Sequence, residues 1–131
     1  MNLADWLLRT ARRAPDAPAL MRGADLVATY SEFADRAARI ARALRDAHGI
    51  APGDRVALFM ENAPAYLELL YGIWWAGAVA VPINHKLHAR EAAFIVADSG
   101  ARIVAVSGGD TALGAALPDG VAVLEMQGDA Y

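Results

Sequence analysis

The pattern of apolar and polar positions divides this chain into short stretches, some with the spacing of a helix and some with that of a strand. Between Gly53 and Asn84 a short apolar run, a longer apolar segment and a second short run follow one another, at Arg55–Met60, Ala63–Ala76 and Ala78–Ile83. Short runs that are apolar on both faces are typical of central parallel strands, and parallel strands need a connection of about a dozen residues. The stretch therefore predicts one strand–helix–strand unit, around which the other elements can be placed.

A membrane span is the alternative interpretation, because Leu69–Ile83 contains no charged residue in fifteen positions. A span needs roughly 18 or more such residues. Glu68 and the pair Asn84–His85 bound the run, and Gly77 and Pro82 divide it where a helix would change to a strand. We therefore favour the buried unit and expect no membrane span.

The N-terminal stretch Leu3–Ala14 has the spacing of an amphipathic helix. The positions that we assign to its apolar face are Leu3, Trp6, Leu7, Thr10 and Ala14. Three arginines near its end complement the helix dipole, and prolines follow it. A basic helix with a tryptophan can also lie on a membrane surface. Because this helix is short and carries Asp5 near its start, we expect it to dock onto the domain instead.

A hairpin and a second helix are predicted next. Ala17–Met21 and Leu26–Thr29 are short apolar runs around a glycine-containing turn. Thr29 and Glu32 have the spacing of a capping box, with Ser31 as an alternative cap. The helix should run to about His48, and its expected buried face is Phe33, Ala37, Ile40, Ala41 and Leu44.

The remaining pattern alternates between helix and strand. Asn62 suits the cap of the helix inside the central unit, with Pro64 in its first turn. Further elements are predicted at Ala89–Asp98 (helix), Arg102–Val106 (strand), Thr111–Leu117 (helix) and Val121–Leu124 (strand). Alternating strands and helices predict an α/β fold with a mostly parallel sheet, flanking helices, and a short N-terminal helix and hairpin.

Composition narrows the class of protein. The 131 residues carry a net charge of −3 with scattered basic residues, so no nucleic-acid partner is indicated. There is no cysteine, which excludes disulfides and thiolate chemistry and fits a reducing compartment. The N-terminal basic residues follow the apolar ones, the reverse of a secretory signal. We expect a cytoplasmic protein.

Four features could carry chemistry, and each has a simpler interpretation. The turn Ser107–Gly109 follows a strand and precedes a helix, but lacks both the G-x-G-x-x-G pattern and a P-loop lysine. His85, His88 and Glu91 are spaced as metal ligands could be, yet the two histidines precede the predicted helix and no further ligand completes the set.

Lys86 is the single lysine beside eleven arginines, and its flanks are polar. Trp74 and Trp75 point about 100° apart on a helix, so they cannot form one stacking platform. We expect an ordinary turn, exposed loop histidines, a surface lysine and packed tryptophans. The residues by themselves therefore indicate no active site.

Several stretches carry a family resemblance: Thr29–Phe33, Gly53–Ala57 with Asn62 and Pro64, Trp75–Asn84, and Lys86–Leu87 with Arg90–Glu91. In this order and spacing they resemble landmarks of the adenylate-forming (AMP-binding) enzymes, which include acyl-CoA synthetases and luciferases. Asn84, where amino-acid-activating members usually carry Asp, favours the acid–CoA ligases. The resemblance covers nearly the whole chain.

The resemblance implies a reaction in two steps. A carboxylate attacks ATP to give an acyl-adenylate and pyrophosphate, and coenzyme A then displaces AMP, with Mg²⁺ assisting. The family's phosphate loop, Tyr-Gly-x-Thr-Glu segment, ribose-binding Asp and C-terminal catalytic Lys are absent from these 131 residues. No catalytic, cofactor-binding or metal residue can therefore be assigned here, and the matched stretches are structural landmarks.

We accordingly expect 1–131 to be one incomplete domain, the N-terminal part of the large domain of a fatty-acid or other carboxylic acid–CoA ligase. Residues 1–28 would form the N-terminal helix and hairpin, and residues 29–131 the α/β core. It could be an expressed piece, a truncated reading frame or a split gene product. By itself it should be inactive, and an exposed sheet edge should favour self-association. The alternative is a stand-alone, non-catalytic α/β module that binds a nucleotide or a protein.

Overall fold

The computed structural model describes residues 2–108 and 111–126. The helices are α1 (Ala4–Arg13), α2 (Tyr30–Asp46), α3 (Pro64–Trp75), α4 (Ala89–Ser99) and α5 (Thr111–Ala116). The strands are β1 (Pro18–Arg22), β2 (Asp25–Thr29), β3 (Arg55–Phe59), β4 (Val79–Pro82), β5 (Ile103–Val106) and β6 (Ala122–Glu125). Every predicted element is present, with its ends displaced by at most about two residues, as expected for element boundaries. The predicted α/β class is confirmed.

Four parallel strands form the main sheet, in the order β4-β3-β5-β6. Val56 of β3 lies opposite Ala80 of β4 on one side and Ile103 of β5 on the other. All four residues of β5 are buried, as are four of the five in β3. This burial on both faces is what the apolar run Arg55–Met60 predicted for a central parallel strand. The same prediction for Ala78–Ile83 was wrong, because β4 lies at an edge of the described sheet and none of its four residues is buried.

The described residues form two compact units. The first contains α1, α2, α3 and the hairpin of β1 and β2, and its core cluster is Leu7, Leu20, Ala28, Phe33, Ala34 and Ala37. The second contains the parallel sheet with α4 and α5, and the buried residues at the centre of its core are Ala57, Ala92, Val96, Val104 and Leu113. Each unit is therefore built around an apolar cluster of its own.

Helix α2 begins as its sequence predicts. The Thr29 hydroxyl accepts a hydrogen bond from the Glu32 amide at 3.2 Å, and Glu32 Oε1 accepts one from the Thr29 amide at 3.0 Å. This reciprocal pair is a capping box, and it satisfies two of the amides that a helix start leaves without partners. The cap is Thr29 and not the alternative, Ser31. The observed buried residues are Phe33, Ala34, Ala37, Ala41 and Leu44, so of the predicted face only Ile40 is not fully buried.

The predicted cap of α3 was wrong by one position. The cap is Ala63, in an extended conformation and without a side-chain hydrogen bond, whereas Asn62 lies one residue earlier. Pro64 occupies the first helical position. Its ring fixes the backbone angle there and it has no amide to satisfy, so it determines where the helix begins. The residue directly before it becomes the cap, whatever its side chain.

The predicted apolar face of α1 was also wrong in part. The buried residues are Ala4 and Leu7, while Trp6 is 54% exposed and Leu3 36% exposed. Ala11 packs against the same cluster as Leu7. Ala4, Leu7 and Ala11 lie on the docked side of the helix, and the indole of Trp6 lies on the opposite side. The helix does dock, but through a narrower face than the pattern suggested.

No helix in the described part of the chain is long and apolar enough to cross a membrane. The stretch Leu69–Ile83, for which a membrane span was the alternative interpretation, is divided between the end of α3 and strand β4. Gly77 makes the division, because its φ of +79° is a backbone conformation that favours glycine.

Candidate functional site

The carboxyl edge of the parallel sheet is where this fold would hold a ligand. In open α/β sheets, ligands bind where the strand order reverses. Here the chain passes from β3 to β4 on one side and then to β5 on the other side of β3, so the reversal lies between β3 and β5. Ser107, after β5, and Glu61, after β3, meet at this point.

A hydrogen bond joins the two loops at this edge. The Ser107 hydroxyl accepts from the Glu61 amide at 3.1 Å. The hydroxyl therefore ties one loop to the other. The predicted turn continues into Gly109 and Asp110, which lie outside the described residues. Helix α5, which follows, has six residues, so it offers little of a helix dipole to a phosphate.

The cluster of His85, His88 and Glu91 is divided by the structure. His88 is the N-cap residue of α4, and Glu91 Oε1 accepts a hydrogen bond from the His88 amide at 3.2 Å. The Glu91 carboxylate thus holds the start of the helix. Among residues 2–108 and 111–126, no group of three or more His, Asp or Glu side chains could hold a metal ion. His88 and Glu91 therefore serve the start of α4.

Asn84 and Lys86 form a turn directly after β4. Asn84 Oδ1 accepts from the Lys86 amide at 3.0 Å, and the Asn84 carbonyl accepts from the Leu87 amide at 3.1 Å. The side chain of Lys86 is exposed. The Asn84 side chain therefore stabilises the backbone turn after β4, as asparagine commonly does in turns.

The two adjacent tryptophans pack in different ways. Trp74 meets Tyr71 edge to face, with ring centroids 5.0 Å apart, and Tyr71 meets Phe33 in the same manner at 5.2 Å. Trp75 packs against the core cluster of the first unit. The Trp74 carbonyl accepts a hydrogen bond from the Asn2 side chain at 2.6 Å, which ties the N-terminus to α3. Both indoles serve packing, and they do not form one platform.

A shallow cavity of about 310 Å³ lies between α4 and α5. Its lining is Arg90, Ala93, Phe94, Ala97, Ala116, Leu117 and Pro118. Phe94 is 69% exposed at its mouth. The lining holds one charged group and no nucleophile or general base, so it is a surface groove without the parts of a reaction centre.

Sequence reasoning missed a buried ion pair in the first unit. Arg36 Nη1 lies 3.0 Å from Oε1 of Glu68, whose side chain is only 1% exposed. The sign that could have revealed it is a single acidic residue inside an otherwise apolar helix, since a buried carboxylate needs a partner. The pair joins α2 to α3 within the unit and is structural.

The family landmark Trp75–Asn84, at the end of the strand–helix–strand unit, also has a role in the backbone conformation. The Gly77 and Ala78 amides donate to the Trp74 and Ile73 carbonyls at 2.9 and 3.0 Å, closing α3. This closure has the pattern of a helix end capped by a left-handed glycine. Pro82 lies in β4, an edge strand in the described sheet, where a missing amide is tolerated.

Comparison with known families agrees with these landmarks. A model of the family described as AMP-binding enzyme matches residues 7–128. Since this match covers nearly all of the chain, the protein belongs to the AMP-binding enzyme family.

Among curated relatives, a feruloyl-CoA synthase from Amycolatopsis is 46% identical over 103 residues, covering 79% of this chain and 21% of the relative. The long-chain-fatty-acid–CoA ligase FadD13 from Mycobacterium tuberculosis is 45% identical over 108 residues, with the same coverage of 79% and 21%. The chain therefore spans about a fifth of the length of these relatives.

Solved structures show the same relationship. A fatty acyl CoA synthetase from Mycobacterium tuberculosis superposes with a TM-score of 0.85 at 35% identity, covering 95% of this chain and 26% of that one. A benzoate CoA ligase from Burkholderia xenovorans superposes with a TM-score of 0.86 at 29% identity, covering 97% and 26%. The fold is that of the N-terminal part of acyl-CoA synthetases.

Proposed function

We propose that the chain is the N-terminal part of the large domain of an ATP-dependent, AMP-forming acid–CoA ligase. The observation that carries this proposal is the family match over residues 7–128. The complete ligase would join a carboxylate to AMP with release of pyrophosphate and then transfer the acyl group to coenzyme A. ATP, Mg²⁺ and coenzyme A are the implied cofactors of the whole enzyme. We place none of their ligands in this chain.

A fatty acid is the substrate class that we propose. The support is the 45% identity to a long-chain-fatty-acid–CoA ligase and the 35% identity to a fatty acyl CoA synthetase structure. The 46% identity to a feruloyl-CoA synthase makes an aromatic acid the natural competitor. Both acids therefore belong in the experiment.

A chimera tests the proposal most directly. Residues 1–131 would replace the matching segment of the Mycobacterium tuberculosis fatty-acid ligase, and ATP–pyrophosphate exchange would be measured with palmitate and with ferulate. We expect exchange from the chimera and none from the isolated chain with either acid. Exchange by the pure isolated chain, or a folded chimera without exchange, would contradict the proposal.

The second candidate is a non-catalytic module that binds a nucleotide through the turn after β5. The observation in its favour is the position of Ser107 at the reversal of strand order. Calorimetric titration of the isolated chain with ATP and with AMP separates the two candidates. Saturable binding by the isolated chain favours the module, and no heat of binding favours the ligase segment.

The remainder of the ligase is the partner that we propose for the sheet. Strands β4 and β6 lie at the two edges of the described sheet, and Val79 and Val123 on them are 45% and 40% exposed. Unpaired strand edges with apolar side chains tend to associate. We expect the isolated chain to self-associate, measured by light scattering; a monomer that binds no hydrophobic dye would contradict this. We also propose a cytoplasmic location.

A further inference from the structure

The two edge strands of the described sheet differ in the hydrogen bonds that they can offer to a further strand. Along a parallel strand, successive residues direct their amide and carbonyl to opposite sides, so every second residue of an edge strand faces away from its neighbour. Neither β4 nor β6 has a second neighbouring strand among residues 2–108 and 111–126. The outward residues of each strand therefore decide whether that edge can accept another strand.

The outer edge of β4 is largely closed. The amides of Val79 and Ile83 donate to carbonyls on the β3 side at 2.8 and 2.9 Å, so the odd-numbered residues of β4 face β3. The outward residues of the strand are Ala80 and Pro82. Proline has no amide, and its ring stands where an added strand would need a donor. Within β4, the outward amide is therefore that of Ala80.

The outer edge of β6 is open. The amides of Ala122 and Met126 donate to carbonyls on the β5 side at 3.1 and 2.8 Å, so the even-numbered residues face β5. The outward residues of the strand are Val123 and Glu125, and each has both an amide and a carbonyl to offer. Val123 is 40% exposed, so apolar surface lies beside these backbone groups. Such an edge is a template for pairing with another chain.

We propose that β6 binds a second copy of this chain, and that the two β6 strands pair antiparallel about a two-fold axis at Val123. A two-fold axis uses the same edge of both copies, so association through β6 alone ends at a dimer. Two equally open edges would instead add copies head to tail and form filaments. The proposal rests on the proposed function in one respect, that the isolated chain lacks the rest of a ligase to cover this edge.

Charge selects the register of the two strands. With Val123 opposite its own copy, Glu125 lies opposite Val121 of the second copy. The two Glu125 carboxylates are then about 14 Å apart along the strands, beyond the screening length of about 10 Å at 0.1 M salt. A register centred on Leu124 would bring them to about 7 Å, and a shift in the other direction would place Glu125 opposite Asp119. Like charges on opposing strands are destabilising, so the register at Val123 is favoured.

The groove between α4 and α5 is a less suitable place for a second copy. Its apolar lining includes the exposed Phe94, but its rim carries Arg90, which is also exposed. Two copies that met there across a two-fold axis would bring these like charges together, which is costly. The edge of β6 instead brings valine to valine and gives each outward amide a carbonyl partner.

Sedimentation equilibrium of the 131-residue chain at 0.1 M salt measures the size of the assembly. We expect monomer and dimer, with no larger species as the protein concentration rises. Hydrogen exchange over the same concentrations locates the contact: the amides of Val123 and Glu125 should become protected as the dimer forms, and the amide of Ala80 should not. A monomer at every concentration, filaments, or equal protection of Ala80 would overturn the proposal.

Matched variants compare the two edges. Val123→Lys places like charges opposite each other at the axis and should weaken dimerisation about tenfold. Val79→Lys, at the 45% exposed valine of β4, is its control and should leave dimerisation unchanged. Val123→Pro removes the outward amide, at an edge position where proline is tolerated, and should weaken dimerisation roughly 30-fold through the two hydrogen bonds lost. Its control is Ala80→Pro in β4. Equal losses at the two edges, or no loss at Val123, would reject the assignment.

A charge exchange tests the two-fold axis itself. Val123→Glu should also weaken dimerisation when present alone, for the same reason as Val123→Lys. Mixed together, the two variants should form a heterodimer, because opposite charges then meet at the axis. Circular dichroism of each variant alone shows that it is folded. Two folded variants that form no heterodimer would overturn the proposal, whereas restored pairing requires position 123 of one copy to face position 123 of the other.

Two further outcomes separate this proposal from its competitors. Phe94→Ala should leave the dimer intact; loss of the dimer in this variant would assign the contact to the groove between α4 and α5 instead. An isolated chain that stays monomeric, beside a chimera that shows ATP–pyrophosphate exchange, would reject the dimer alone. A dimer through β6, beside a folded chimera without exchange, would reject the ligase function alone.

Discussion

Arg36 and Glu68 form an ion pair that crosses from α2 to α3, with 3.0 Å between Nη1 and Oε1. The two partners differ in their surroundings, because the Glu68 side chain is 1% exposed and that of Arg36 is 37% exposed. A guanidinium at the rim of the unit thus compensates a carboxylate in its interior. The free-energy cost of breaking the pair is therefore set mainly by the buried Glu68 carboxylate, which loses this charged partner.

Removing the guanidinium should be costly. Arg36→Ala withdraws a charged partner from a buried carboxylate, and we expect the free energy of unfolding to fall by about 2–3 kcal/mol. Arg39→Ala is the matched control, since Arg39 pairs with Asp35 at 2.7 Å but both side chains are more than half exposed. It should cost at most about 0.5 kcal/mol. Urea unfolding of the two variants measures the difference, and similar losses would contradict the role of burial.

Gly72 is required where α3 crosses α2. A Cβ atom at this position would lie 2.6 Å from Ile40 Cγ2 and 3.2 Å from the Ala37 carbonyl oxygen. Gly72→Ala should therefore destabilise the protein by about 1–3 kcal/mol through overpacking. Gly114→Ala, in α5, meets nothing within 4 Å and should stabilise by up to about 1 kcal/mol. Thermal unfolding should shift in opposite directions for the two variants; a shift in the same direction would argue against the close helix crossing.

The capping box of α2 determines the direction in which the stability of the folded protein changes with pH. The Thr29 backbone amide, and after it the Thr29 hydroxyl, lower the pKa of Glu32 from its ordinary value of 4.5. A lowered pKa in the folded state stabilises the protein at and above the ordinary value, and this contribution is lost as the pH falls below 4.5 through the lowered pKa.

Glu32→Gln removes the titrating charge from the capping box. Wild type should be more stable than this variant at pH 7, and the difference should shrink as the pH falls from 5 to 3. The matched control is Ser31→Ala, at the neighbouring position that does not cap the helix. Urea unfolding at several pH values measures both variants. A difference that grows in acid, or the same pH dependence for the Ser31 variant, would refute the capping assignment.

Two phenylalanines in contrasting surroundings provide a test of the packing. Phe33 is 5% exposed and meets Tyr71 edge to face, whereas Phe94 is 69% exposed beside the groove between α4 and α5. Phe33→Ala should cost about 3–5 kcal/mol, because it leaves a cavity. Phe94→Ala should change stability by no more than about 0.5 kcal/mol and reduce the binding of a hydrophobic dye. A large loss of stability for the Phe94 variant would show that this side chain packs more closely than its exposure indicates.

The sequence by itself determined the order and kind of every element. A run that is apolar on both faces identified β3 as a central strand, and spacing with a capping box identified α2, because these signals are local and are written in consecutive residues. The landmarks from Thr29 to Asn84 identified the family for the same reason. The sequence also indicated that no reaction centre could be assigned to these residues.

Tertiary structure decided which side chains meet. It turned Trp6 outward and chose Ala4 and Leu7 for docking, because the best contact of α1 depends on the shape of the neighbouring elements. It buried Glu68 and supplied Arg36 from a helix 32 residues away. It also used His88 and Glu91 for a helix cap, where spacing alone had allowed a metal site. Pairings between distant residues depend on how elements pack, and a periodic pattern in one chain does not contain that information.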